Sequence, residues 1–175
     1  MCSIFDRKAP IGIDKASIDA IIQYVCYTYG GLMGKIHMSS ERSAVKDFLA
    51  QMNSVLSSDS FNIDRDFFFQ RIREADEPDD EYTNENTMLA LGYDSSDVVA
   101  ELKTLGLDNY SESIVDNVAD GFEIFFVFGK IISGRDVYIK VRMKQRKKTQ
   151  EEYVFCISFH FAKHPITVYP YRRTP

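Results

Sequence analysis

Four polar side chains near the C-terminal end of the 175-residue chain could together transfer protons to and from a substrate. Tyr138 and Lys140 flank one apolar residue, and Ser158 and His160 flank another. This period of two is typical of a strand with one buried face. If the two strands form an antiparallel hairpin, Tyr138 lies opposite His160. Lys140 would then lie opposite Ser158, which places all four side chains on one face of a sheet.

A base, a cation and an acid held together could transfer a phosphate group, and cleavage of RNA without a metal ion is one reaction of this kind. Such cleavage needs a base for the 2′-hydroxyl, a cation for the charge on the phosphorane, and an acid for the leaving 5′-oxygen. A histidine such as His160, with an ordinary pKa of about 6.5, can act as base or acid at neutral pH. Tyr138 could donate a proton, or act as a phenolate if cations lie beside it. If RNA is the substrate, the products would be a 2′,3′-cyclic phosphate and a 5′-hydroxyl end.

Other side chains of the same region could hold the RNA backbone, since most of them carry positive charge. The hydroxyl of Ser158 could orient a phosphate oxygen, and His164 follows shortly after His160. The expected catalytic residues are Tyr138, His160 and Lys140. The expected RNA-binding residues are Lys130, Arg142, Lys144, Ser158 and His164.

Ordinary structural roles remain open for each of these residues. A tyrosine is common in strands, alternating Lys140, Arg142 and Lys144 are typical of a solvated face, and a histidine can be purely structural. A metal pair of His160 and His164 is a weaker alternative, because no cysteine or carboxylate lies beside them in sequence. Cys156 could be a nucleophile, but a small cysteine buried in a strand is the simpler interpretation.

Three antiparallel strands between Phe122 and Phe161 must position the candidate site. Ser133 and Gly134 can form a two-residue hairpin loop, which pairs Phe128 with Ile139 and Phe126 with Val141. A second hairpin, around the charged loop 147–151, would place Arg142 opposite Cys156. The apolar face of the last strand would hold Tyr153, Phe155, Ile157, Phe159 and Phe161, and its other face would hold Val154, Cys156, Ser158 and His160.

Helices are predicted upstream, which makes the expected fold α+β, with N-terminal helices packed on a C-terminal twisted antiparallel sheet of three or more strands. Asp14 can cap a first helix, and Ser39 or Ser40 can begin a longer one. The longer helix has apolar residues at helical spacing, namely Val45, Phe48, Leu49, Met52, Val55 and Leu56.

Shorter elements complete the prediction. Asp64 begins a short helix whose Phe67, Phe68 and Ile72 point inward, and Thr87 to Leu91 forms a helical turn ending at Gly92. Asp94 or Ser95 caps a helix that ends at Gly106. Residues 107–117 are expected to be a polar connector into the sheet.

Charge is distributed unevenly along the chain. Residues 1–86 contain 9 Lys/Arg and 15 Asp/Glu, a balance of −6, whereas residues 128–175 contain 11 Lys/Arg and 3 Asp/Glu, a balance of +8. A polyanion would therefore bind to the C-terminal part. The acidic stretch from Glu74 to Asn86 could be a solvated loop, a metal site or a contact that screens the basic end, although it lacks the spacing of a calcium loop.

Composition indicates one compact globular domain, because 45% of the residues are hydrophobic and 13% are aromatic. The longest apolar runs are shorter than a bilayer span, and the N-terminus lacks the order of a signal peptide. Cys2, Cys26 and Cys156 form neither a metal spacing nor an even-numbered disulfide framework. We therefore expect a cytoplasmic protein with reduced thiols, no metal and no cofactor.

Residues 85–167 resemble the MqsR-type toxins of bacterial toxin-antitoxin systems. The similarity includes Phe128, Gly129 and Lys130, the strand from Val137 to Lys140, and the run from Cys156 to His160, followed by His164 and Pro165. The helix from Leu89 to Leu105 and the connector with Asp108, Asn109 and Tyr110 occur in the corresponding order.

The resemblance implies a RelE-like fold and a metal-independent endoribonuclease that cleaves mRNA and binds a cognate antitoxin protein. It also implies that Tyr138 and His160 belong to the active site, although these toxins often carry lysine at the position of His160 and of Ser111. On this basis we predict an N-terminal extension at 1–37, a helical segment at 38–86 and a toxin core at 87–175.

A non-catalytic module that binds RNA or an antitoxin is the main alternative. Electrostatic binding requires Lys and Arg but neither Tyr138 nor His160, so replacement of those two residues discriminates between the alternatives. A structural protein with no role in nucleic-acid binding is a third possibility. It would show no affinity for RNA even at low salt.

Overall fold

The computed structural model of the protein describes residues 35–72, 77, 79–118 and 121–172, with the side chains of 117, 118, 121 and 122 excepted. This part of the chain has an α+β fold, as predicted, with helices packed on one six-stranded sheet. The predicted helix after Asp14, and part of the acidic stretch, lie outside the described residues. Within the described ranges, no helix is both long enough and apolar enough to cross a bilayer.

The sheet has the strand order β1-β3-β4-β5-β6-β2. Neighbouring strands are antiparallel except for β2, which runs parallel to β6. The prediction of a wholly antiparallel sheet is therefore wrong, and the sheet is mixed. The strands are β1 (Ile36–Met38), β2 (Phe67–Phe69), β3 (Tyr110–Val118), β4 (Gly121–Ile132), β5 (Arg135–Gln145) and β6 (Glu152–Phe161).

Four α-helices and one 3-10 turn occur in the described part of the chain. Their apolar residues form one core with the side chains on one face of the sheet, which we call the helix face. Phe48, for example, stacks on Phe126 with ring centres 4.1 Å apart. The helices are α1 (Arg42–Leu56), α2 (Ile63–Asp66), α3 (Asn84–Leu91) and α4 (Ser95–Lys103), and the 3-10 turn is Leu107–Asn109.

The spacing of apolar residues in α1 is confirmed, because Val45, Phe48, Leu49, Met52 and Leu56 are all buried. The predicted cap is wrong, since Glu41 occupies the N-cap position without a side-chain hydrogen bond. Ser40 is used differently: its backbone NH donates to the Tyr110 hydroxyl at 2.8 Å, and its own hydroxyl contacts that of Ser113 at 2.8 Å. These contacts fix the entry to α1 against β3.

The caps of the next helices follow their sequence signals. Gly92, with φ of 67°, ends α3 in the left-handed conformation that glycine favours. Asp94 caps α4 and forms a reciprocal capping box with Asp97. The helical turn predicted from Thr87 is longer than expected, because Thr83 caps it and it begins at Asn84.

The predicted hairpin between β4 and β5 is confirmed. Ser133 and Gly134 have φ values of 51° and 77°, and this pair of positive angles is typical of the two-residue turn that matches strand twist. Phe128 pairs with Ile139, and Phe126 pairs with Val141.

The hairpin between β5 and β6 contains an irregularity that the sequence did not reveal. Its loop has six residues rather than five, because Gln145 already pairs with Glu152. Lys140 pairs with Ser158 but Val141 pairs with Cys156, so Ile157 is an extra residue in β6. On one side of such a bulge, every side chain points to the face of the sheet opposite to the one that regular alternation would give it.

Because of the bulge, the prediction is wrong about which face of the sheet holds the residues in the first half of β6. Arg142 lies opposite Phe155, not Cys156, because the shift reverses the first half of β6. Cys156 and Val154 are buried in the helix-face core. Phe155 instead contacts Phe125, with ring centres 6.3 Å apart, on the opposite face. Tyr138 opposite His160 and Lys140 opposite Ser158 remain as predicted, since both pairs lie beyond the bulge.

Two segments were assigned to the wrong structure. The helix begun near Asp64 ends at Asp66, where Phe67–Phe69 becomes a strand, and Phe68 and Ile72 are exposed instead of pointing inward. Residues 110–118 form β3 rather than a polar connector, with Ser111 and Ser113 buried. Strand β1 crosses the predicted boundary between residues 37 and 38 and pairs with β3.

Candidate active site on the open face of the sheet

The face of the sheet opposite the helices, which we call the open face, contains a groove of about 670 Å³. The groove contains side chains from β1, β3, β5 and β6 and from the segment after β6. All three histidines of the chain line it. Its lining residues are Lys35, His37, Gln70, Ile114, Tyr138, Lys140, Ile157, Ser158, His160, Ala162, Lys163, His164 and Ile166.

Tyr138 and His160 form a stacked pair in this groove, as their cross-strand register requires. Their ring centres are 5.3 Å apart, and the ring planes differ by 22°. The Nδ1 atom of His160 lies 2.9 Å from the carbonyl oxygen of Phe161. Because a carbonyl only accepts hydrogen bonds, Nδ1 carries the proton, and Nε2 is the basic atom of the neutral ring.

Lys140 and Ser158 are buried at the base of the groove, with 6% and 3% of their surface exposed. The Lys140 ammonium lies 3.1 Å from an Asp116 carboxylate oxygen and 4.2 Å from the centre of the Phe125 ring. These contacts give a buried cation the partners that burial demands. The base of the groove therefore contains an ion pair, the Lys140 ammonium and the Asp116 carboxylate.

Arg142 and Lys144 share the open face but not the groove. Arg142 lies 2.5 Å from Glu123, and Lys144 lies 3.9 Å from the same carboxylate. Burial lowers the pKa of Arg142, although Glu123 opposes this effect. Burial, and then the charge of Arg142, lowers the pKa of Lys144. Arg142 and Lys144 are therefore less exposed to water than residues of the predicted solvated face would be.

Lys130 is not part of this surface. It lies on the helix face, where its ammonium contacts the Glu101 carboxylate and the Thr104 hydroxyl. Its neighbour along the strand, Gly129, faces the groove side and pairs with Tyr138. Since successive side chains of a strand alternate between faces, Lys130 and Tyr138 cannot contact one substrate group together.

An acidic residue, Asp80, contacts the end of the groove where Lys163 and His164 lie, and accepts a hydrogen bond from Lys163 at 2.9 Å. Its neighbour Glu81 accepts one at 2.8 Å from Arg135, which lies over the Phe161 ring and is not part of the groove lining. The bond from Lys163 lowers the pKa of Asp80, and the backbone NH of Tyr82 adds to this effect. Of the three interpretations of the acidic stretch, the contact with the basic end is the one that these residues support.

The C-terminal segment forms one wall of the groove. Ile166 and Tyr169 pack directly over Gly129, where an added Cβ would lie 2.8 Å from Ile166 Cδ1 and closer still to the Tyr169 hydroxyl. Burial raises the pKa of Tyr169. The Tyr171 hydroxyl donates to the Ser40 carbonyl at 2.5 Å, which holds the segment to the start of α1.

Sequence reasoning missed His37, which β1 places in the groove. Its Nδ1 lies 2.8 Å from the Glu112 carboxylate on β3. A strand of three residues is too short to show a reliable alternation, and β3 was expected to be a connector. The described residues contain no group of three or more His, Cys, Asp or Glu side chains that could hold a metal ion.

Comparison with protein-family models, with curated proteins and with solved structures found no match.

Proposed function

We propose that this protein is a metal-independent endoribonuclease whose active site is the stacked pair of Tyr138 and His160. One observation carries the proposal. The bond from His160 Nδ1 to the Phe161 carbonyl makes Nε2 the basic atom, and a tyrosine hydroxyl lies on the adjacent strand. A base and an acid are thus side by side in a groove of sufficient volume for a nucleotide.

The proposed reaction is attack of a ribose 2′-hydroxyl on the neighbouring phosphate. His160 Nε2 takes the hydroxyl proton while the 2′-oxygen bonds to phosphorus. The bond from phosphorus to the 5′-oxygen then breaks, and the Tyr138 hydroxyl supplies a proton to that oxygen. Lys140 and the Ser158 hydroxyl at the base of the groove face the charge that develops on the phosphorane. The products are a 2′,3′-cyclic phosphate and a 5′-hydroxyl end.

Replacement of the two central residues tests this mechanism. Removal of an acid or base typically lowers a rate by about 10²- to 10⁴-fold. Tyr138→Phe and His160→Gln should each cause a loss of this size in the cleavage of a labelled RNA, with little change in RNA affinity. Tyr153→Phe is a matched control, because Tyr153 lies on β6 outside the groove. Cleavage should persist in excess EDTA.

Undiminished cleavage by both variants would refute the site, and a strict requirement for added magnesium would refute the mechanism. Identification of the product ends by mass spectrometry provides a separate check. A 3′-hydroxyl product would show that water, rather than the 2′-hydroxyl, attacks the phosphate.

The biological role that we propose is that of the toxin in a toxin-antitoxin pair, acting on mRNA in the cytoplasm. The support is the resemblance of residues 85–167 to MqsR-type toxins, together with a sheet that carries helices on one face and a polar groove on the other. We infer that β3 to β6 correspond to a RelE-like core. Growth arrest on expression, relieved by a co-expressed antitoxin from a neighbouring reading frame, tests this role.

A second candidate function is a non-catalytic module that binds RNA or a protein partner such as an antitoxin. Phe68 favours this alternative, because 55% of its surface is exposed while its ring lies 5.3 Å from that of Phe155. Aromatic residues are enriched in protein interfaces relative to the rest of the surface. Binding without cleavage, unaffected by His160→Gln but weakened by Phe68→Ala, would favour this function.

A further inference from the structure

A second histidine lies on the same groove, on the strand at the far edge of the sheet. His37 is the central residue of β1, and its Nδ1 is 2.8 Å from Glu112 Oε2. The His37 side chain is 57% exposed, and Lys35 lines the groove beside it. The mechanism proposed for Tyr138 and His160 uses none of these three residues.

The contact with Glu112 determines the hydrogen-bonding character of His37. An ionised carboxylate only accepts hydrogen bonds, so Nδ1 must carry the proton. The Nε2 atom of the neutral ring is then an acceptor. An acceptor beside the cation of Lys35 complements a ligand with a hydroxyl donor next to an anion, and a ribose 2′-hydroxyl beside its phosphate has that chemistry.

The position of β1 separates this pair from the catalytic one. Strands β3, β4 and β5 lie between β1 and β6, which gives four steps across the sheet. At about 4.8 Å a step, the two strands are roughly 19 Å apart. His37 and His160 cannot therefore act on one phosphate. Any RNA that contacts both must extend along the groove.

We propose that His37, Glu112 and Lys35 form a ribonucleotide-binding subsite remote from the site of cleavage. His37 Nε2 accepts a hydrogen bond from a 2′-hydroxyl, Lys35 contacts the adjoining phosphate, and Glu112 is a positioning residue that holds the histidine tautomer. The subsite rests on the proposed binding of RNA in the groove. Because DNA lacks the 2′-hydroxyl, the subsite discriminates between the two nucleic acids.

The test compares the affinities of RNA and DNA. Fluorescence anisotropy would give Kd values for single-stranded 12-mers of one sequence as RNA and as DNA, at fixed salt, on the full chain carrying Tyr138→Phe and His160→Gln. Gel analysis confirms that the RNA stays intact. In this background His37→Ala should weaken RNA binding roughly three- to tenfold, the value of one hydrogen bond, and leave DNA binding nearly unchanged.

Variants of Glu112 separate positioning from simple electrostatics. Glu112→Ala removes a negative charge, so electrostatics alone predicts tighter binding of both nucleic acids and an unchanged ratio of their affinities. The subsite predicts that the preference for RNA falls. Glu112→Gln retains an acceptor for Nδ1–H and should restore most of the preference. Lys148→Ala, on the exposed turn between β5 and β6, is the control for loss of a remote cation.

An RNA-to-DNA affinity ratio that is unchanged by His37→Ala would overturn the subsite. His37→Phe keeps an aromatic ring on β1 and lacks both ring nitrogens, so it replaces His37→Ala as the test if the alanine variant folds poorly. It must cause the same loss in the RNA-to-DNA affinity ratio. Collapse of the ratio without any RNA cleavage by the parent protein would support the subsite and refute the proposed enzyme. If RNA cleavage depends on His160 and His37→Ala leaves the RNA-to-DNA affinity ratio unchanged, the proposed enzyme is supported and the subsite is refuted.

Discussion

At the residue scale, three cations of β5 on the open face are paired with carboxylates from β3 and β4. Lys140 contacts Asp116, and Arg142 and Lys144 share Glu123. Buried charges lose hydration, and a partner offsets that loss only while the pair is intact. Strand alternation predicted the face on which Lys140 lies, but it could not predict Asp116 as its partner. That carboxylate belongs to β3. The sequence predicts a polar connector there because several residues are hydrophilic, although some of them are buried in the strand.

The pair of Lys140 and Asp116 leads to a prediction about stability. Only 7% of the Lys140 side chain is exposed, so Asp116→Ala leaves a buried ammonium without this carboxylate. We expect a loss of about 2–4 kcal/mol in the free energy of unfolding, measured by urea denaturation. The double variant Lys140→Met with Asp116→Ala should recover much of the loss. Asp47→Ala, at an exposed position of α1, is the control. A similarly small change in the free energy of unfolding for Asp47→Ala and Asp116→Ala would contradict the prediction.

At the scale of elements, the sequence predicted those parts of the fold whose signal is local. The turn at Ser133 and Gly134 fixed the pairing of β4 with β5, and the spacing of apolar residues located α1. The bulge at Ile157 was not predictable, because either half of β6 alternates regularly and the change of phase has no residue signature. Strands β1 and β2 have three residues each and are defined by their neighbours rather than by their own pattern.

The packing of the C-terminal segment on β4 gives a prediction at this scale. Gly129→Ala should displace Tyr169 and Ile166, because the new Cβ would approach both more closely than van der Waals contact allows. Cleavage by trypsin after Lys163, followed by mass spectrometry, should become several-fold faster as the segment opens more often. Gly106→Ala is a matched control, since its Cβ would meet only Asn109 Oδ1 at 4.0 Å. Equal cleavage rates for the two variants would show that Gly129 does not hold the segment.

At the scale of the whole molecule, the acidic and basic halves of the sequence are brought together by the fold. Asp80 binds Lys163 at the end of the groove that His160 and His164 share, and Glu81 binds Arg135, which lies over the Phe161 ring outside the groove lining. The charge distribution along the chain suggested a basic C-terminal surface. It could not show that the Asp80 carboxylate contacts that surface, because the contact depends on how α3 docks against β6.

If the groove binds RNA, as we propose, removing the acidic contact should strengthen that binding. The pKa of Asp80 is lowered by its bond from Lys163, so the carboxylate stays ionised and the pair stays intact until the pH falls below the ordinary range of aspartate. Asp80→Asn with Glu81→Gln removes both carboxylates and should release Lys163, which lines the groove, to bind a phosphate. We expect a lower Kd for RNA and a steeper dependence of log Kd on log salt, by about one unit of slope.

The control for this prediction must change the net charge by the same amount without touching the groove. Asp47→Asn with Asp59→Asn meets this requirement, because both residues are exposed on or beside α1. If binding depends on net charge alone, the two double variants will bind RNA equally well. If Asp80 competes locally for Lys163, only the double variant at Asp80 and Glu81 will steepen the salt dependence, because only there does a substitution make a groove cation available to a phosphate.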